Sequence, residues 1–275
     1  MDLDGIRGRW TRKCRPDIHR GDDEDVGSKS SLSVKSSSSI NSSDSGWSWD
    51  VPKEARLNPE IEYGEMTDDR DGQTYKTVEI CDEDKLLCQT WMAENLNYAD
   101  SVNTASLKGK SWCYDNKEAY CEVTGRLYTW AAAIDSVAMA NDASNPRICG
   151  NETSCKLPEV VQGICPSGWH LPSKTEWQVL FTAVGVPGSV GMMLKSQTGW
   201  IDRGNGEDAY GFSALPAGNA EYGYFSSVGY YAQFWSSSGE DSYYAYYVDL
   251  DSYDFVSLRN GDKDNAFSIR CLQDN

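Results

Sequence analysis

Histidine is nearly absent from this chain: its 275 residues include only His19 and His170. A Ser–His or Cys–His catalytic pair in the aromatic-rich part of the chain would have to use His170. That residue lies between Trp169 and Leu171, just ahead of a helix cap, and is expected as a packed or hydrogen-bonded structural group. No Cys-x-x-Cys pair occurs, whereas structural zinc sites usually need ligands that close together. Positive charge is scarce: 25 Lys and Arg stand against 42 Asp and Glu, for a formal net charge of -17. Such a surface repels phosphate backbones and anionic head groups, so nucleic acid is not an expected partner. No apolar run reaches the roughly 18 residues of a membrane helix, so no membrane-spanning segment is expected. Met1 to Arg20 is basic without an apolar stretch, and no export signal is visible there.

What the chain has is aromatic rings, glycines and cysteines. Aromatics reach 12%, with 10 Trp and 16 Tyr beside 24 Gly. That mixture suits a loop-rich α+β fold better than a helical bundle. Of nine cysteines, Cys14 stands alone among basic residues. The other eight are Cys81, Cys88, Cys113, Cys121, Cys149, Cys155, Cys165 and Cys271. Six of them form close neighbours bracketing polar, turn-forming residues. The simplest of the many possible connectivities joins Cys81 to Cys88, Cys113 to Cys121 and Cys149 to Cys155, which leaves Cys165 for Cys271. A disulfide framework implies an oxidising compartment, so the protein is expected outside the cell, on its surface or at the outer membrane.

Two regions are expected. Residues 1–66 carry a charge run, Asp22 to Asp25, and a Ser-rich linker around Ser36 to Ser39, which cannot bury enough apolar surface to order itself. Residues 67–275 form the folded domain. Thr74 to Ile80 alternates as a strand, and Cys81 to Cys88 would be the tip of a hairpin returning through Gln89 to Met92. Leu127 to Ala140 is Ala-rich and reads as one helix, with Leu127, Trp130, Ala131, Ile134 and Val137 on one face. A second helix follows Pro172: Ser173-Lys174-Thr175-Glu176 has capping-box spacing, Trp177, Leu180, Phe181 and Val184 recur at helical intervals, and Gly185 is a natural stop. From Gly211 onward the pattern is β. Tyr244 to Leu250 pairs with Phe255 to Arg259, Asn260-Gly261-Asp262 is a turn, and Phe267, Ile269 and Cys271 alternate in a last strand.

Candidate sites are few. Glu176 is accounted for by the capping box, and Glu94 is expected to hold a loop by hydrogen bonds. Calcium, which prefers hard oxygen ligands, has a candidate set in Asp202, Asn205, Glu207 and Asp208. Asp262, Asp264 and Asn265 are better explained as a polar turn. Sugar binding needs exposed rings beside polar groups, and Tyr222, Tyr224, Tyr230, Tyr231, Tyr243 and Tyr247 are the candidates. No catalytic residue and no resident cofactor stand out.

Several blocks carry a family resemblance. They are Asp71 to Val78, Trp91-Met92-Ala93-Glu94-Asn95-Leu96-Asn97-Tyr98, and Cys165-Pro166-Ser167-Gly168-Trp169-His170-Leu171-Pro172-Ser173. Tyr210 to Gly218, Phe234-Trp235-Ser236-Ser237-Ser238 and Ser268-Ile269-Arg270-Cys271-Leu272 follow in order. Together they resemble the Fibrobacter succinogenes major paralogous domain over about residues 67–273. The resemblance implies a C-type-lectin-like fold with mixed and antiparallel strands, two helices and long loops, and an exported or cell-surface protein. It brings no catalytic residues. The function it suggests is a non-enzymatic binding or adhesion module, with a polysaccharide or another surface component as partner. A structural envelope protein is the alternative. Leu171 to Trp177 and Arg270-Cys271 are also similar to motifs of the formylglycine-generating sulfatase-modifying enzymes. Those use a pair of late reactive thiols, and only Cys271 follows Cys165 here, so that activity is not expected.

Overall fold

The computed structural model describes residues 46–186 and 188–274; Cys14, His19 and the Ser-rich segment lie outside them. The described residues therefore include 46–66, ahead of the expected boundary at Thr67. Within residues 46–66, Trp49 stacks on Tyr120 with ring centroids 3.7 Å apart, and the Arg56 guanidinium covers Trp47 at 4.1 Å. These contacts bind the segment to the domain as a belt.

In chain order the first strands are β1 (Gly64–Thr67), β2 (Thr74–Cys81), β3 (Cys88–Met92) and β4 (Ser111–Trp112). Then come α1 (Glu118–Thr124), β5 (Leu127–Thr129), α2 (Trp130–Ala133), α3 (Ser136–Asn141), β6 (Trp169–His170), α4 (Lys174–Val184) and α5 (Val190–Leu194). The C-terminal part is all strand: β7 (Asn219–Glu221), β8 (Tyr224–Ser226), β9 (Tyr231–Gly239), β10 (Tyr244–Asp251), β11 (Val256–Asp262), β12 (Ala266–Phe267) and β13 (Leu272–Gln273). They form three sheets, ordered β1-β2-β3-β13-β6, β11-β10-β9 and β4-β5-β12-β7-β8. The last eight residues of this run stitch the sheets together. β12 sits between β5 and β7, and β13 then enters the first sheet between β3 and β6.

The α+β class holds, as does the β2–β3 hairpin, with Cys81 directly opposite Cys88. All four bridges form as the spacing suggested: Cys81–Cys88, Cys113–Cys121, Cys149–Cys155 and Cys165–Cys271. The long bridge is fully buried and fastens the final segment to the turn preceding β6. The capping box at α4 is complete: Ser173 Oγ accepts from the Glu176 amide, and Glu176 Oε2 accepts from the Ser173 amide at 2.7 Å. Trp177, Leu180 and Val184 enter the core from its apolar face.

Three expectations change. Leu127 to Ala140 is not one helix. Leu127–Thr129 pairs with β4 and β12 as a strand, and Asp135, at φ 51°, separates α2 from α3. Val137 consequently faces solvent. Tertiary pairing of three residues outweighs alanine's helical preference here. Five short α-helices are described rather than two, because α1, closed by the Cys113–Cys121 bridge, had no strong period. Asn260-Gly261-Asp262 continues β11 opposite Tyr246, Ala245 and Tyr244, and the chain turns at Lys263 and Asp264 instead. Two internal ammonium groups brace these loops. Lys263, 1% exposed, donates from Nζ to the carbonyls of Thr153, Asp241 and Ser242. Lys195, fully buried, donates to those of Asp251 and Tyr253.

Candidate functional site

Alternation along the β9–β11 sheet sends Ala232, Phe234, Val248 and Leu250 into the core beside Trp177. The intervening residues make the opposite face. Cross-strand register aligns Tyr231 with Asp251, Gln233 with Asp249 and Ser257, and Trp235 with Tyr247 and Arg259. The β7–β8 hairpin meets this face. Its Ala220 packs inward with Phe225 against it, so Asn219, Glu221, Tyr224 and Ser226 alternate to the other side.

A chain of hydrogen bonds joins the two sheets along that face. Ser226 Oγ donates to Asn219 Oδ1 at 2.8 Å, and Asn219 Nδ2 donates to Gln233 Oε1 at 2.7 Å. Gln233 Nε2 donates to Asp249 Oδ1 at 3.1 Å, and Arg259 Nε lies 3.1 Å from Asp249 Oδ2. Asn219, Gln233 and Asp249 are buried, while the Arg259 side chain is exposed. Burial pushes the Asp249 carboxyl up, and the Gln233 bond and Arg259 oppose it. The arrangement is a rigid polar floor whose end groups reach solvent.

Three of the candidate tyrosines border this floor. Tyr224, 79% exposed, lies across from Glu221, and Tyr231, 36% exposed, lies across from Asp251. Tyr247 is half core: its ring packs 4.6 Å from Phe267, and burial first, then Asp249, pushes its hydroxyl up to about 12. Tyr222 forms the exposed tip of the β7–β8 hairpin. Tyr230 and Tyr243 sit in the turns before β9 and β10 and are not brought onto the floor. Sequence reading missed Asn219, Gln233, Asp249 and Arg259. A signal existed for two of them: Gln233 interrupts Ala232 and Phe234, and Asp249 interrupts Val248 and Leu250.

The calcium candidates have separate surroundings. Asp202 and Glu207 face solvent, and Asn205 Oδ1 accepts the Trp200 amide at 3.0 Å. Asp208 is fully buried, with its two oxygens taken by the Ser213 amide and hydroxyl. Burial pushes its carboxyl up to about 7, against the pull of Ser213 and Arg270. Among the described residues, the acidic and sulfur groups that do cluster are Glu79–Cys81–Cys88 and Cys113–Glu118–Cys121, whose sulfurs are already bridged. Asp262 and Asp264 make the ordinary turn bonds expected of them. His170 is buried and held between two carboxylates: Nδ1 lies 2.7 Å from Asp274 and Nε2 3.0 Å from Glu176. Burial lowers its pKa, but the two carboxylates outweigh this and the net shift is upward. Glu94 holds the Lys76 amide and pairs with Lys53 at 2.9 Å. It lines a narrow cleft beneath the belt with Asn97, Cys121 and Gly125. That cleft encloses about 30 Å³, room for water rather than for a sugar.

A family model described as the Fibrobacter succinogenes major domain matches residues 86–273. Neither the curated proteins nor the solved structures include a match to this chain.

Proposed function

The chain belongs to the Fibrobacter succinogenes major domain family, and on that premise we propose that it is an exported or cell-surface, non-enzymatic binding module whose partner is a polysaccharide. The reading takes the fold as C-type-lectin-like. The closing of β13 between β3 and β6, locked by Cys165–Cys271, supports that assignment. Four bridges support an oxidising location. One observation carries the binding site: Tyr224 and Tyr231 stand exposed beside a pre-ordered chain of amides and carboxylate, on an open sheet face. Rings offer apolar surface to a sugar's C–H face, and the solvent-facing ends of the chain, Ser226 and Arg259, meet its hydroxyls, held in place by the buried Asn219, Gln233 and Asp249. An open face accepts a long chain that an enclosed pocket cannot.

Pull-down on insoluble polysaccharides and a glycan array test this, with Tyr224→Ala and Tyr231→Ala as surface variants. Each variant is expected to weaken binding about 2- to 13-fold, in line with about 0.5–1.5 kcal/mol per stacked ring. The same binding is expected with calcium and with a chelator. Retention of full binding by the double variant would refute the assignment of the face.

A further inference from the structure

Each of the two exposed rings on the polar face has a carboxylate for its cross-strand neighbour. Tyr224 stands opposite Glu221 in the β7–β8 hairpin, and Tyr231 stands opposite Asp251 in the β9–β10 ladder. Directly opposed residues share one side of a sheet, with Cβ atoms about 4.5–5.5 Å apart. Ring and carboxylate therefore form a pair, and the face carries two such pairs. Glu221 and Asp251 are half-buried, and the bonds they make are to neutral donors. Glu221 Oε1 accepts from Asn265 Nδ2 at 3.4 Å, and Asp251 Oδ1 accepts from the Tyr253 amide at 2.9 Å. Among the described residues neither makes an ion pair: Arg259 is held by Asp249, and Lys195, which donates to the Asp251 backbone carbonyl, pairs with Asp254. The face keeps two uncompensated negative charges, one beside each ring. Burial is the main cause of the raised Asp249 and Tyr247 groups, and the charges of Asp251 and Glu221 add to it, so their field reaches the floor.

Building on the polysaccharide reading above, we infer that these two ring–carboxylate pairs select an uncharged polysaccharide and reject polyuronates. A neutral sugar laid on either ring turns its edge hydroxyls toward the carboxylate beside it, which accepts them in charge-assisted hydrogen bonds. A uronate in the same place brings its own carboxylate against that group. Like charges a few ångströms apart repel even in water, which costs about three- to fivefold in affinity at each pair. The cation of the floor gives little relief, because Arg259 is already engaged by Asp249. Tyr224 and Tyr231 thus supply the stacking surface, and Glu221 and Asp251 decide which chain is accepted on it.

The test measures binding of the full chain to immobilised arabinoxylan, galactomannan and polygalacturonate by biolayer interferometry. A chelator is present throughout, so that no divalent cation bridges carboxylates. At low salt the wild type is expected to bind at least one neutral polymer about tenfold or more tightly than polygalacturonate, and high salt is expected to narrow that ratio. Glu221→Gln with Asp251→Asn keeps both acceptor oxygens and is expected to narrow the ratio about tenfold at low salt. Glu83→Gln with Asp84→Asn removes the same charge from the exposed tip of the β2–β3 hairpin and is expected to leave the ratio unchanged. Thermal midpoints equal to the wild type's confirm that both double variants are folded. Equal binding of polygalacturonate and the neutral polymers by the wild type overturns this inference and leaves the binding face standing. An unchanged ratio in the Glu221 and Asp251 variant, or an equal narrowing in the hairpin variant, overturns the role of these two carboxylates. Binding to no polymer, or neutral binding that survives loss of both Tyr224 and Tyr231, overturns the face and this inference together.

Discussion

Replacing Cys165 and Cys271 together by alanine isolates the long staple. The bridge closes a sequence separation of 106 residues, against 8 for Cys113–Cys121. In the chain-entropy description, the loss grows with the logarithm of loop length, giving about 4.8 kcal/mol for the long bridge and about 2.5 kcal/mol for the short one. All four sulfurs belong to residues at most 2% exposed, so lost packing and voids are similar in the two double variants. The difference of about 2.3 kcal/mol is therefore the loop-length effect itself. Equilibrium urea unfolding of the wild type and both double variants measures it, provided that the slopes of the transitions agree. If the two variants lose the same stability, the staple acts through local packing and strain rather than through the unfolded chain, and the reasoning fails. A larger loss than about 6 kcal/mol would mean that β13 no longer docks when the sulfur link is absent.

Lys263→Met removes a charged donor from three loop carbonyls, together with the cation held 4.5 Å over the Trp130 ring. Desolvation of the ammonium is also removed, which lessens the loss, so a destabilisation of about 2–4 kcal/mol is expected by thermal unfolding; an unchanged midpoint would show that water serves those carbonyls equally well. Asp208 supplies a pH dependence. Its carboxyl titrates at about 7 when folded, above the ordinary 3.8, so the folded state holds the proton more tightly. Its contribution to stability is complete below the unfolded pKa and is lost as pH rises through about 7. Asp208→Asn is expected to flatten the fall of stability between pH 4 and 7 relative to the wild type, measured by urea unfolding at successive pH values. An identical slope in both proteins would show that Arg270 keeps Asp208 ionised throughout.

The parts of this fold that could be read from sequence are those whose cause is local. The capping box at Ser173 needs only residues three apart, and the Cys81 hairpin needs only two alternating runs and a polar neck. The cysteines were legible for a related reason: close spacing made three pairs simple and left one long partner. Leu127 to Ala140 misled because its decisive interaction is distant. Leu127 and Tyr128 find partners at Trp112, Ser111 and Phe267, and no helical period records that. The candidate site was half legible for the same reason. Tyrosines can be counted, but which of them share a face depends on strand register, and register comes from pairings between β9, β10 and β11. The residues that make the floor rigid were hidden further, since Asn219, Gln233 and Asp249 lie on three separate strands. Yet a single amide and a single carboxylate, each between two core residues of a strand, carry a cost that an apolar interior does not excuse. Here the cost is met by pairing Gln233 with Asp249 across the register, and Arg259 completes the pair from solvent. That is why a polar residue breaking a buried strand marked this face better than the number of its rings.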